Sequence, residues 1–129
     1  MKNATIKVKR VYAPPSGEDG VRVLVDRLWP RGVSRSEAQL DEWEKDLAPS
    51  GELRQWFGHE PGRFPEFRRR YVDELRSNAD RLTALRRRAG SGTVTLVYSA
   101  HDSEHNDAVV LAEVLRRGLA KPGTPSEDE

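Results

Sequence analysis

Val21-Arg22-Val23-Leu24-Val25-Asp26-Arg27-Leu28-Trp29-Pro30-Arg31-Gly32 is the stretch on which the fold turns. Residues 21–28 are apolar at nearly every position until Asp26 and Arg27. A run of that length rich in Val and Leu reads as a strand buried on both faces, the habit of a parallel sheet. Trp29-Pro30-Arg31-Gly32 ends the strand. Upstream, Ile6 and Val8 alternate with Lys7 and Lys9, so residues 4–12 read as a second strand. Ala13 to Gly20, with two prolines, two glycines and two acids, is a loop.

Downstream, Ser34-Arg35-Ser36-Glu37 has the form of a capping box, and Leu40, Trp43 and Leu47 continue at helical spacing. A helix or two short helical turns are therefore expected over 35–47. Pro49-Ser50 interrupts and recaps, with Ser50 as N-cap of a short helix carrying Leu53, Trp56 and Phe57. A long helix is expected over about 65–89, because Phe67, Tyr71, Leu75, Leu82 and Leu85 fall in one stripe at 100° per residue. Residues 93–99 form another β-rich apolar run, and 105–119 a last amphipathic helix that Ser103 or His105 would cap. Strands separated by helices make this an α/β layered domain, its mainly parallel sheet of three or more strands flanked by helices. It is expected to occupy 1–120 as a single domain, with 121–129 a disordered polar tail.

Composition bounds the function. With 22 basic and 21 acidic residues in 129, the net charge is +1, so bulk attraction to nucleic acid or an anionic membrane is not expected. The absence of cysteine excludes disulfides, thiolate nucleophiles and thiolate-held metals. No run approaches the length of a membrane span and no targeting segment is evident, which points to a cytoplasmic protein. Arginine nevertheless outnumbers lysine 17 to 5, and its rigid fork suits carboxylate and phosphate. On the long helix Arg69, Arg70 and Arg76 stand four residues before Asp73, Glu74 and Asp80, the spacing of a solvated, paired face. Arg86 to Arg88 sit in that helix's last turn, where cations complement the dipole.

Ligands of parallel sheets sit outside the carboxyl ends of the strands. Those ends are Tyr12, the Asp26–Gly32 segment, and Tyr98-Ser99-Ala100-His101-Asp102 leading to His105-Asn106. Asp26 and Asp102 are the candidate acid or base. Arg27, Arg31 and Arg54 are the candidate anion grips, with Trp29, His59, His101 and Asn106 beside them. The bland reading of Asp26 is a structural ion pair with arginine, with Trp29 as a core plug; that of Trp43 and Tyr71 is core. His101, Asp102, His105 and His59 are of metal-ligand type, but their loop spacing is weakly specific and no metal site is assigned. No dinucleotide fingerprint, phosphate loop, nucleophile elbow or zinc-protease motif occurs, so no cofactor is specified.

The strings Lys9-Arg10-Val11-Tyr12, Val25-Asp26-Arg27-Leu28-Trp29-Pro30-Arg31-Gly32, Ala48-Pro49-Ser50, Leu53-Arg54-Gln55-Trp56-Phe57-Gly58-His59 and Thr95-Leu96-Val97-Tyr98-Ser99-Ala100-His101-Asp102 resemble the short YeaO-like branch of a bacterial domain-of-unknown-function family. The likeness runs from about residue 6 to residue 117 and implies a compact α/β fold with its signature segments at one end of the sheet. Longer relatives carry Cys-x-Glu and Cys-His-Arg patterns near the last strand and helix. This chain has His101-Asp102 and His105-Asn106-Asp107 there, so thiol chemistry does not transfer. The leading expectation is a small enzyme or binding domain for a compact anionic ligand, such as a phosphate, carboxylate or nucleotide fragment. The alternative is a non-catalytic nucleic-acid or protein interaction module using the exposed arginines of 68–88.

Overall fold

The chain alternates strands with helices: β1 (Thr5–Arg10), β2 (Val21–Leu24), α1 (Arg35–Ala38), β3 (Glu42–Trp43), α2 (Gly51–Phe57), α3 (Phe64–Arg76), α4 (Ala79–Gly90), β4 (Thr93–Tyr98) and α5 (Asp107–Arg117). Single 3₁₀ turns lie at Gly17–Asp19, Lys45–Leu47 and Pro61–Arg63. This is a computed structural model that describes residues 5–90 and 92–117; the polar tail expected at 121–129 and the end of the last helix at 118–119 lie outside the described residues. The four strands pair in the order β1-β4-β2-β3, and every pairing is parallel. The central strands β4 and β2 are the two that the sequence marks as predominantly apolar.

Two faces of the sheet are covered by different means. On one, Ile6, Val23, Val25, Val94, Leu96 and Tyr98 meet the apolar stripes of α3, α4 and α5. On the other, Leu24 and Val97 pack with Val11 and Ala38 beneath Trp29, Val33, Leu40 and Trp43. Arg22, the charged exception in the apolar run, is buried on this second side. Its guanidinium donates to Asp19 Oδ2 at 2.7 Å and to the Ala38 carbonyl at 2.8 Å. Lys9 donates to the same Asp19 carboxylate at 3.1 Å. Burial alone would raise the Asp19 pKa, but the Ser16 backbone donor, Lys9 and Arg22 outweigh it and hold the carboxyl below the usual range.

The loop between β1 and β2 closes through Gly20. At φ +65° it lies in the left-handed region, and a Cβ there would stand 2.2 Å from the Thr93 carbonyl oxygen. Only glycine lets this loop pass so close to the start of β4.

One expectation, two short helical turns over 35–47, is met with a strand added, and two are corrected. The 35–47 segment takes the form of short turns with a strand between them. Its capping box is present at Ser34, but Gln39 closes α1 in the left-handed region. Asp41 then bonds Arg22 through both its N–H and its carboxylate, at 2.8 Å each. Those bonds draw Glu42 and Trp43 onto the edge of β2.

The helix expected over 65–89 is two helices broken at Ser77-Asn78, residues whose side chains compete with the backbone ladder. Asn78 starts the next turn by accepting from Leu82 N, and its side chain donates to the Asp46 carbonyl at 3.2 Å. Because Leu75 and Leu82 stand seven residues apart, the apolar stripe runs across the break. The last helix starts at Asp107, and its cap is Asn106: Oδ1 accepts from Val109 N at 3.0 Å.

The helix arginines are largely tied to acids. Arg69 meets Asp73 at 3.5 Å, as the spacing predicts. Arg70 turns instead to Glu66, at 2.7 Å, since Glu74 accepts from Ser50 N and Oγ at 2.8 and 2.6 Å. Arg76 pairs with Asp73. Arg68 reaches Glu113, and Arg88 reaches Glu42. Arg86 donates to the Val114 and Leu115 carbonyls, serving the end of α5 as well as its own helix. No helix among the described residues is long and apolar enough to cross a membrane.

Candidate functional site

Beyond β2 the chain leaves the sheet, and the Asp26–Gly32 segment is held by donors reaching its carbonyls. Trp43 Nε1 donates to the Asp26 carbonyl at 2.7 Å, and Tyr12 Oη to that of Arg31 at 2.9 Å. Trp29 Nε1 donates to Val33 at 2.7 Å, and Gly32 takes φ +73° to turn the chain. Trp29 also packs edge-on against Trp43, centroids 5.5 Å apart, with Arg35 stacked over it. The segment is thus pinned by its backbone, which leaves the Arg27 and Arg31 side chains to project.

These ends of β1, β2 and β4 enclose a crevice of about 960 Å³, within the range of small-molecule sites. Of the predicted residues, Asp26, Arg27, Trp29, Arg31, Arg54, His59, His101 and Asn106 all line it; Asp102 does not. Arg54 arrives from α2, and His59 follows it at φ +58° beside Phe57. Arg27 Nε donates to the Pro49 carbonyl at 3.2 Å. The guanidinium groups of Arg31 and Arg54 make no hydrogen bond or ion pair among the described residues. Asp102 is spent on the turn into α5: it accepts from Glu104 N and His105 N, and from His105 Nδ1 at 2.8 Å. The Glu104 donor first, and His105 next, hold its carboxyl below the usual range. His101, Asp102, His105 and His59 do not gather as a metal-ligand group: among the described residues no three His, Cys, Asp or Glu side chains do.

Two residues of the crevice escaped the sequence reading. Arg10, the last residue of β1, donates to the Ala100 carbonyl at 2.9 Å, lies 3.1 Å from His101 Nδ1 and stacks 4.5 Å over Tyr12. The strand-end rule that singled out Tyr12 applies equally to Arg10. Asp107, in the first turn of α5, lines the crevice with Asp26, and the two carboxyls lie within hydrogen-bonding reach of each other once one is protonated. Burial first, then the Asp26 charge, pushes the Asp107 carboxyl well above the usual range. Asp26 Oδ2 in turn accepts from Ser99 N at 2.9 Å and Ser99 Oγ at 2.8 Å. Asp26 is therefore the partner of a second acid and a serine, and no ion pair to arginine is formed among the described residues. In sequence, Asp107 looks like an ordinary first-turn carboxylate.

An α/β fold with an all-parallel sheet and a strand-end crevice rimmed by arginine is the class that these features define. The chain belongs to the family whose model is described as the inactive DUF488-N3 subclade, which matches residues 5–128. It is similar to YeaO of Escherichia coli (strain K12), with 44% identity over 111 residues covering 86% of this chain and 96% of the relative. It is also similar to a protein of Mycobacterium tuberculosis (strain ATCC 25618 / H37Rv), with 42% identity over 115 residues, or 89% of this chain and 97% of the relative. Both relatives are described as uncharacterised. No solved structure matches the chain.

Proposed function

We propose that this protein binds a compact anionic ligand, a phosphate or carboxylate compound, at the carboxyl ends of its strands. The observation that carries the reading is the pair of partnerless guanidinium groups, Arg31 and Arg54, at the rim of the 960 Å³ crevice. Arginine forks without an acid partner beside a preformed concavity suit bidentate capture of an oxyanion. Arg27 and Arg10 add charge, and His59 and His101 add donors.

The description of the family as an inactive subclade supports binding over turnover. In this reading Asp26 and Asp102 hold the geometry of the site rather than move protons. A nucleic-acid module has less support, since the 68–88 arginines it would use are largely engaged with acids or carbonyls.

The test is a thermal-unfolding titration with inorganic phosphate and with small carboxylates. A binding anion raises Tm with concentration, by about 2.7 kcal/mol of added stability at a hundredfold excess over Kd. Arg31→Ala combined with Arg54→Ala removes the rise and leaves the unliganded Tm within the small range usual for exposed substitutions. Anions that leave Tm unmoved in the parent protein refute the reading.

A further inference from the structure

The crevice is bipolar, and its two ends ask for different chemistry. Arg31, Arg54 and His59 are exposed at the rim. The floor holds Asp26 and Asp107, Ser99, and the buried rings of Phe57 and Phe67. A bare phosphate needs only the rim.

Two carboxyl groups joined by a hydrogen bond must keep one proton between them, because two carboxylates have only acceptors to offer each other. That proton is spent between the two carboxyls, so the floor pair carries one negative charge and presents only acceptor oxygens toward the cavity. Asp26 Oδ2 is already served by the two Ser99 donors, and Asp107 Oδ1 by Ala108 N at 2.8 Å, so the remaining capacity is small. Adjacent hydroxyl groups fit such a pair: each donates its one hydrogen to a carboxyl oxygen, and they bring no charge.

An ammonium group fits less well. Four arginines line the crevice against the single negative charge of the pair, and Asp102 is committed to His105, so the field at the floor repels a cation. Around the rim, Leu28 and Tyr12 are 60% and 45% exposed. These apolar surfaces, with the rings below, suit the C–H face of a carbon skeleton.

We infer that the ligand is a phosphate monoester carrying vicinal hydroxyls, its phosphoryl group at Arg31 and Arg54 and its diol on Asp26 and Asp107. This rests on the anion-binding reading above and specifies its ligand. A free sugar phosphate and the ribose phosphate portion of a larger molecule share that chemistry.

Calorimetric titrations of the full chain at neutral pH separate the possibilities. The probes are inorganic phosphate, glycerol 3-phosphate, ribose 5-phosphate, 2-deoxyribose 5-phosphate, adenosine 5′-monophosphate and phosphoethanolamine. Ribose 5-phosphate is expected to bind about tenfold more tightly than inorganic phosphate or its 2-deoxy analogue, the gain of one or two well-made hydrogen bonds. Phosphoethanolamine is expected to gain nothing over inorganic phosphate. Tighter binding of adenosine 5′-monophosphate than of ribose 5-phosphate assigns the ribose to a larger molecule, and the reverse assigns it to a free sugar phosphate.

Asp107→Ala is expected to erase the difference between ribose 5-phosphate and its deoxy analogue while inorganic phosphate still binds. Inorganic phosphate that binds with no gain from glycerol 3-phosphate or ribose 5-phosphate overturns this inference alone, as does tighter binding of phosphoethanolamine. Failure of every probe to bind overturns the anion-binding reading with it.

Discussion

Asp107 and Asp19 are both carboxyls within the fold, yet their surroundings shift them in opposite directions. Burial first, then the neighbouring Asp26 charge, raises the Asp107 carboxyl well above the usual range. Its folded pKa lies above the unfolded value, so its contribution to stability is complete below the ordinary carboxylate range, about pH 3.9. That contribution is lost as pH rises through the folded value. Relative to Asp107→Asn, which imitates the protonated acid, the parent protein is expected to lose stability as pH is raised; urea unfolding of both across pH checks this, and parallel curves refute it. Asp19 has the reverse sign. Held low by Ser16 N, Lys9 and Arg22, it stabilises above the ordinary carboxylate range, and the effect is lost as pH falls through its folded value. Asp19→Ala strands the buried Arg22 guanidinium and is expected to cost about 3–5 kcal/mol at neutral pH, measured by denaturant titration.

At the scale of elements, two contacts lock the strands to what surrounds them. Tyr71 of α3 is fully buried and donates to the Leu47 carbonyl, tying that helix to the 3₁₀ turn after β3. Tyr71→Phe leaves a buried acceptor unmet and is expected to lose about 1 kcal/mol, visible as a lower urea midpoint at unchanged slope. Gly20→Ala combines a left-handed φ with a Cβ 2.2 Å from the Thr93 oxygen; a loss of roughly 2–3 kcal/mol is expected in the same assay.

The elements also differ in how legible they were. Ser34 and Ser50 announce their helices because a cap is a local hydrogen bond, made within three residues. β3 was hidden because Trp43 sits at helical spacing from Leu40 and Leu47, and only its partners on β2, some nineteen residues back, convert it to strand. The break at Ser77-Asn78 was hidden for a related reason: the apolar stripe keeps its phase, and the Asp46 carbonyl that engages Asn78 is thirty-two residues away.

For the molecule as a whole, charge is balanced in sum and sorted in space. The helix arginines meet acids drawn from their own helix, from the β3 region and from α5, whereas those at the strand ends form no ion pair with an acid among the described residues. With a net charge of +1, an electrophoretic mobility assay at about 0.15 M salt is expected to show no shift of duplex DNA or RNA. A shift that weakens steeply with added salt and is reduced by Arg87→Ala, an exposed arginine of α4, would restore the nucleic-acid reading.

Residue order alone determined that this chain builds a parallel α/β sheet with its candidate site at the strand ends. The double-sided apolar runs of β2 and β4 and the caps at Ser34 and Ser50 are local, periodic signals that a linear reading detects. Arg27, Arg31 and Arg54 were legible because strand ends and helix ends are where parallel sheets gather side chains. Only the tertiary structure decided the order β1-β4-β2-β3, the edge strand and the partners of Asp26. Ser99 lies 73 residues from Asp26 and Asp107 farther still, and no spacing encodes their meeting. The floor of the crevice exists because β4 inserts between β1 and β2 and carries the start of α5 to the end of β2.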